Sequence, residues 1–187
     1  VQLNHAKGQI QLSGTVNEKD ETNNAFSINT KISKVAVDTL LYSFGNFGQF
    51  TFLPENIKGI ISLNSQLNGL FNDKGQFVLG SLQGTTEFQI EQGELIQFKP
   101  LMRMGKMIFR KKRLENIHFA TVKNTLDIKG NNISIPPMLI KSDLINLQIA
   151  GIFNLDKGTN LDIEIPLFKN DKSNTNSGMN LGNSYKI

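Results

Sequence analysis

The chain alternates apolar and polar residues along much of its 187 positions, and this alternation limits the folds open to it. In residues 81–91, apolar or small side chains occupy the even positions and six polar side chains occupy the odd positions. Side chains of a β-strand point alternately to its two faces, so this period of two predicts strands. Similar runs lie at 10–12, 61–67, 145–149 and 161–167. One apolar and one polar face per strand is typical of an antiparallel sheet.

Turn signals separate these runs. Clusters of Asn, Asp, Lys and Gly lie at 72–75, 129–132 and 156–158, and short turns of this kind join strands as antiparallel hairpins. Residues 1–169 are therefore expected to form a single β domain. Residues 170–187 are rich in Asn, Ser, Gly and Lys, and we expect a loop or disordered tail there.

Two segments depart from the alternation and predict short helices. In Val35–Phe47 the apolar spacing changes to three or four residues, with Asp38 as the expected N-cap and Gly45 as the expected stop. In Phe98–Phe109, Pro100 suits the first helical turn. The alternation and the turns therefore predict a mainly β, antiparallel fold with two short helices.

The apolar strand faces need a cover, and two short helices are too small to provide it. Either the sheet folds onto itself as a sandwich or barrel, or it curls and leaves an apolar trough. Composition alone favours the sandwich. An open trough would indicate a hydrophobic ligand, because large apolar patches are rarely left exposed.

Residue types that carry catalysis are scarce. The chain has no cysteine and two histidines, which excludes thiolate chemistry and makes a multi-histidine metal site improbable. Glu87 and Glu91 share the polar face of a predicted strand and could form a catalytic carboxylate pair, although a solvated face is the simpler interpretation. His118 is expected to be a surface residue. The sequence therefore predicts no enzyme and no cofactor.

The strongest local anomaly is a basic segment at residues 99–113, which carries seven positive charges and no acidic residue. Its basic residues are Lys99, Arg103, Lys106, Arg110, Lys111, Lys112 and Arg113. Apolar neighbours such as Leu101 and Ile108 make the segment amphipathic, which favours an anionic membrane surface or phosphate headgroups. Nucleic acid is not expected, because no aromatic stacking platform accompanies the charges. A solvated helix face followed by a charged loop is the alternative.

From Val35 to Leu167 the chain resembles the C-terminal region of AsmA-like proteins of Gram-negative bacteria, in a form similar to those of Bacteroidetes. The segments that carry this resemblance are Leu40–Gln49, Asn56–Gly59, the run Gly84, Phe88, Ile90, Gly93, Leu95, Phe98 and Pro100, then Ile117–Phe119, Ile133–Ser142 and Gly151. This resemblance lies in the order and spacing of the segments rather than in one motif.

The resemblance implies a curled, twisted antiparallel sheet that forms an open groove or half-barrel with two short helices. It also implies an envelope protein of outer-membrane biogenesis, related to TamB and to bridge-like lipid transfer proteins. Such proteins lie mostly in the periplasm and are anchored in the inner membrane by an N-terminal helix, which we expect outside this chain because it begins with Val1. The implied function is non-enzymatic: an apolar β-groove binds or guides phospholipid acyl chains between the two membranes. Phospholipid or a membrane surface is the expected partner, with other envelope proteins as further candidates.

The residues expected to line the groove, or an ordinary core, belong to the apolar faces of the predicted strands. They are Ile61, Leu63, Leu67, Leu82, Phe88, Ile90, Leu126, Ile128, Ile133, Ile135, Ile149, Ile163 and Ile165. One alternative is a structural or protein-interaction domain in outer-membrane protein assembly, with a closed β-sandwich core. Another is an enzyme that acts on glycans or lipids through Glu87 and Glu91.

Overall fold

Eleven strands form one antiparallel sheet in the computed structural model, which describes residues 2–5, 8–18, 22–48, 53–99, 101–103, 114–156, 158–164 and 185–186. The strands are β1 (Gln2–His5), β2 (Gly8–Glu18), β3 (Asn23–Ala36), β4 (Ile57–Asn72), β5 (Gln83–Ile96), β6 (Asn116–Phe119), β7 (Val122–Lys129), β8 (Asn132–Ile140), β9 (Leu147–Asn154), β10 (Gly158–Glu164) and β11 (Tyr185–Lys186). Neighbours in sequence are neighbours in the sheet, except that β6 and β7 both pair with β5.

The predicted turns form the hairpins of this meander. Between β4 and β5, Asn72 Oδ1 accepts hydrogen bonds from the backbone N–H groups of Lys74 (3.0 Å) and Gln76 (2.9 Å). Between β7 and β8, Lys129 pairs with Asn132 across a two-residue turn in which Gly130 has φ of 58°. Such a positive φ suits glycine, because it has no Cβ to clash with the backbone.

Three β-bulges interrupt the register, and the apolar pattern shifts at each one. In β3 the pairing jumps between Ile32 and Val35, where Lys34 has φ of 55°. A bulge adds one residue to a strand, so the side chains after it point to the face opposite to the one that strict alternation would give. The apolar residues switch between even and odd residue numbers at the same points. The switch is from even to odd numbers in β3 and β5, and from odd to even numbers in β8 between Ile135 and Met138. Strands β2–β9 therefore keep most of their apolar side chains on one face.

One end of this apolar face is covered and forms the core. The helix α1 (Val37–Ser43) follows β3 directly and buries Val37 and Leu40 against the sheet. A larger buried cluster gathers the ends of β4, β5, β6, β8 and β9 with the segments around Leu101 and Ile145. Since burial of apolar area is the main stabilising contribution to folding, this end provides most of the stability.

The predicted first helix exists, but the assignment of its N-cap was wrong. Ala36 is the N-cap, and Asp38 lies in the first turn, where its carboxylate accepts the N–H of Thr39 at 2.7 Å. The helix begins earlier because β3 leads into it without a loop, and Val37 reaches the core. Gly45 begins a short 3-10 turn, Gly45–Gly48, after the helix ends.

The mainly β, antiparallel fold with two helices is confirmed. The sheet is open: it is neither closed nor strongly curled, so the half-barrel form of the prediction is not what the described residues adopt. In the second predicted helix, residues 99 and 101–103 are helical, and residues 104–113 lie outside the described part. In the predicted tail, the structure describes residues 185–186, which form β11 beside β10.

The close contact between Gly93 and Phe119 gives a test of this register. A Cβ on Gly93 would lie 2.0 Å from the buried Phe119 ring, so the ring must move within the core. We expect Gly93→Ala to lower the free energy of unfolding by about 1–3 kcal/mol, measured by urea denaturation. Gly80→Ala is the matched control, because a Cβ there meets nothing within 4 Å. Equal stability of the two variants would contradict the packing described.

Candidate functional site

The strand register collects the predicted groove residues on one face of the sheet. Across neighbouring strands, Leu67 lies opposite Gly84, Gly84 opposite Ile128 and Ile128 opposite Ile133. The other described members follow the same register, except that Leu82 reaches this face beside Gly69. Ile165 lies outside the described residues. The sequence therefore predicted correctly which side chains share a face.

The same residues divide into core and open surface. Leu82 and Ile163 are buried, and Ile61, Leu63, Phe88, Ile90 and Ile149 pack against the buried clusters. The remainder are half-buried and lie outside both clusters. Together with two neighbours on the same face they form what we name the apolar strip: Ile28, Leu67, Leu126, Ile128, Ile133, Ile135 and Phe153.

Two polar contacts separate the strip from the core without leaving unsatisfied groups. The hydroxyls of Ser65 and Thr86 lie on the apolar face and share a hydrogen bond of 2.8 Å. The amide of Asn124 donates to the carbonyl of Pro136 at 2.9 Å. Because each polar group has a partner, the apolar face tolerates them at little cost.

An aromatic pocket of about 630 Å³ opens at the β2–β3 end of the strip. Its wall includes residues 12–16 of β2 and three phenylalanines, Phe26, Phe71 and Phe77. The Phe26 ring lies 6.3 Å from that of Phe71 and 5.3 Å from that of Phe77, between centroids. Phe26 is buried, whereas Phe77 is 57% exposed and Val16 is 62% exposed. The pocket is therefore apolar and open to solvent.

Sequence reasoning missed this pocket. Leu12 was recognised in an alternating run, but Val16 and the three phenylalanines were not assigned to a site. A backbone bridge pairs Phe71 with Phe77 across the β4–β5 turn, and the rings of both residues contact Phe26. The sequence did contain a signal for this pocket: Phe71 and Phe77 flank the predicted turn Asn72–Gly75. A tight hairpin turn places the residues on its two sides next to each other.

The opposite face of the sheet is polar. Lys31, Asn64 and Glu87 lie side by side on β3, β4 and β5 and border two shallow troughs of about 500 and 560 Å³. Glu91 lies on the same face as Glu87 and accepts a hydrogen bond from Gln89. Four residues of strand place the Cα atoms of the two glutamates about 13 Å apart.

His118 lies between two carboxylates at the far end of β6. Its Nε2 is 3.6 Å from Glu94 Oε1, and its Nδ1 is 3.4 Å from Asp143 Oδ2. Asp143 also accepts the backbone N–H of His118 at 3.0 Å. The imidazole is 64% exposed, so water screens its interaction with the two carboxylates. Within the described ranges no group of three or more His, Cys, Asp or Glu side chains could hold a metal ion.

The structure describes two residues of the basic segment. Lys99 and Arg103 are exposed, while Leu101 between them is buried in the core cluster. The start of the segment is thus amphipathic as predicted. Lys106, Arg110, Lys111, Lys112 and Arg113 lie outside the described residues.

The chain matches no known family model, no curated protein and no solved structure. In the part of the chain that the structure describes, no helix is long and apolar enough to traverse a lipid bilayer. The likeness to AsmA-like proteins therefore remains a hypothesis, and the function is argued from the site itself.

The burial difference within the aromatic pocket predicts two unequal substitutions. We expect Phe26→Ala to lower the free energy of unfolding by about 3–5 kcal/mol, because the ring is buried and leaves a cavity. Phe77→Ala removes a ring that is mostly in water, and we expect a loss of less than about 1 kcal/mol. Denaturant unfolding of both variants measures this difference, and a larger loss for Phe77→Ala would overturn the description of the pocket.

Proposed function

We propose that the apolar strip and the aromatic pocket bind acyl chains of phospholipids, and that the protein is a non-enzymatic module of envelope biogenesis. The observation that carries the proposal is a contiguous, half-buried apolar strip that ends in an open pocket lined by phenylalanines. Large uncovered apolar patches of this kind are typical of ligand or membrane contacts.

The dimensions of the strip suit an extended chain. From Ile28 on β3 to Phe153 on β9 it crosses six neighbouring strands, or about 24 Å at the usual strand spacing. Burial of an acyl chain contributes roughly 0.8 kcal/mol per CH₂. Binding of this kind is non-directional, so it requires no catalytic motif. The sheet is not strongly curled, and the proposed site is a shallow form of the groove predicted from the sequence.

The basic segment suggests a contact for the lipid headgroup or for an anionic membrane surface. Lys99 and Arg103 project from the covered end of the apolar face, while the aromatic pocket lies at the other end. Arginine and lysine bind phosphate oxygens through charge-assisted hydrogen bonds. With the resemblance to AsmA-like proteins, this arrangement favours a periplasmic module of a longer protein held in the inner membrane, moving lipid between the two membranes.

A protein-interaction role in outer-membrane assembly is the second candidate. The observation that favours it lies in β2, whose residues 13–18 extend beyond the pairing with β1 and are exposed. A free strand edge can pair with a strand of another chain. The closed sandwich expected for this role is not formed by the described strands, which lie in one open sheet.

Lipid binding is tested with Phe77→Asp, which places a charge in the aromatic pocket at an exposed position. We expect the full chain to co-purify with phospholipid, detected by native mass spectrometry, and to bind a fluorescent fatty acid. Phe77→Asp should weaken fatty-acid binding about tenfold, which corresponds to 1.4 kcal/mol. Ile152→Asp is the control, since Ile152 is 46% exposed and lies on the polar face opposite Ser134. Absence of lipid, with equal fatty-acid binding by all three proteins, would contradict the proposal.

Headgroup contact is tested with vesicles. We expect the chain to sediment with vesicles that contain anionic phospholipid more than with purely zwitterionic ones, and salt should weaken the association. Reversing the charge of both Lys99 and Arg103 to Glu should reduce the bound fraction, because each basic residue near such a surface contributes about 1 kcal/mol. The control reverses Lys129 and Lys141, two other exposed lysines. Equal loss in both double variants would indicate an effect of net charge alone and refute this contact.

A further inference from the structure

Three hydroxyl side chains lie next to one another on the apolar face of the sheet. Thr30 of β3 lies opposite Ser65 of β4, and Ser65 lies opposite Thr86 of β5. Residues two apart in a strand point to the same face, so these hydroxyls share the face of Ile28 and Leu67. All three are half-buried. The hydroxyl row, as we name Thr30, Ser65 and Thr86, therefore places polar groups within a surface that is otherwise mostly apolar.

The hydroxyl row lies between the core and the aromatic pocket. On one side of it, Ile32 and Leu63 face each other across β3 and β4, and both take part in a buried cluster or pack against it. On the other side, Ile28 is the next residue of β3 on this face, and it lines the pocket. Leu12, which lies opposite Thr30 on β2, lines the pocket as well. Thr30 therefore adjoins the pocket on the side of the core.

Two hydroxyl protons of the row are available to a ligand. A hydroxyl group has one proton and two acceptor lone pairs. Ser65 and Thr86 share one hydrogen bond of 2.8 Å, which uses one of their two protons. The side chain of Thr30 makes no hydrogen bond with the residues that the structure describes. An acceptor group on the apolar face can therefore receive hydrogen bonds from two neighbouring strands.

We propose that the hydroxyl row binds the acyl carbonyl oxygen of a fatty acid or of a phospholipid ester, and that the acyl chain runs from there over Ile28 into the aromatic pocket. This inference rests on the lipid binding proposed above and adds a direction to it. A carboxylate or an ester carbonyl accepts hydrogen bonds and donates none, which matches a site that offers donors on an apolar face. Four residues of β3 separate Thr30 from Phe26, or about 13 Å, so a long chain reaches the phenylalanines from the row.

The opposite direction is less favourable. With the carbonyl group in the pocket, its oxygen would lie among phenylalanine rings, and hydrocarbon would cover the hydroxyl row. Polar groups that lose water without gaining a hydrogen bond cost free energy. In the proposed direction, the polar end of the lipid also points toward the covered end of the strands, where Lys99 and Arg103 are exposed. Hydrogen bonding and charge therefore favour the same direction.

Removal of one hydroxyl tests the contact. Thr30→Val keeps the β-branched shape and deletes the donor. We expect it to weaken binding of laurate and of lauroyl lysophosphatidylcholine by the full chain about tenfold, which corresponds to 1.4 kcal/mol, because both ligands carry an acyl carbonyl. Binding of dodecylphosphocholine, which has a similar chain and headgroup but no carbonyl, should be unchanged. Calorimetric titration below the micelle concentrations measures all three ligands. Thr85→Val, at an exposed position of the polar face, is the matched control.

The pattern of losses separates this contact from lipid binding in general. A loss for one carbonyl ligand alone would identify the fatty acid or the ester as the source of the carbonyl, and a loss for both would assign the row to either source. An equal loss for all three ligands, or a loss for none, would overturn the contact while lipid binding itself stands. If the unaltered chain binds none of the three, the proposed function fails and this inference fails with it.

Photo-crosslinking tests the direction of the chain. A fatty acid with a diazirine at its last carbon should label residues 71–77 of the unaltered protein. A fatty acid with a diazirine beside the carboxyl group should label residues near Thr86, and tandem mass spectrometry locates both labels. Labelling of the same residues by both probes, or an exchange of the two patterns, would overturn the proposed direction even if Thr30→Val weakens binding.

Discussion

The structure depends on a cross-strand register that keeps most apolar side chains of strands β2–β9 on one face. In a β-sheet a slip of one residue exchanges the two faces of a strand, so a single unmatched bulge would move apolar side chains into water. At the bulges near Lys34, Gln92 and Pro136–Pro137, the apolar residues switch between even and odd residue numbers. Register and sequence therefore agree along strands of up to sixteen residues.

This single face has two different environments. At one end α1 and the segment around Leu101 cover it, and side chains such as Ile117 and Leu147 are almost completely buried. Toward the other end of the strands, where the strip and the aromatic pocket lie, no α-helix of the described part covers it, and the strip remains half-buried. The buried core and the open apolar surface are consequently separated along the strands. The covered end holds the sheet together, which allows the open end to keep apolar surface in contact with solvent.

The sequence predicted which residues share a face but not which of them are covered. Leu67, Ile128 and Ile133 were correctly grouped, because alternation reports directly on the direction of a side chain in a strand. Leu82 and Ile163 were grouped with them yet are buried, because coverage depends on distant elements that periodicity does not describe. The phenylalanines of the pocket escaped notice for a similar reason, since a turn, and not a strand pattern, brings Phe77 to Phe71 and Phe26. The uncovered strand faces allowed a curled sheet and the family resemblance favoured it, but curvature depends on twist and bulges that alternation does not reveal.

An open meander differs from a barrel or a sandwich in how it can grow. A closed sheet has no free edge, and a sandwich uses both inner faces to cover each other. In the described part of the chain, the order of strands leaves residues 13–18 of β2 beyond the pairing with β1 and leaves the strip without a facing sheet. Each strand added to an edge of such a sheet would lengthen the apolar face by about 4.8 Å without any change in the existing packing. The face and the edge use different interactions, apolar contact on the face and backbone hydrogen bonds along the edge, and they meet at β2, where residues 13–16 line the aromatic pocket.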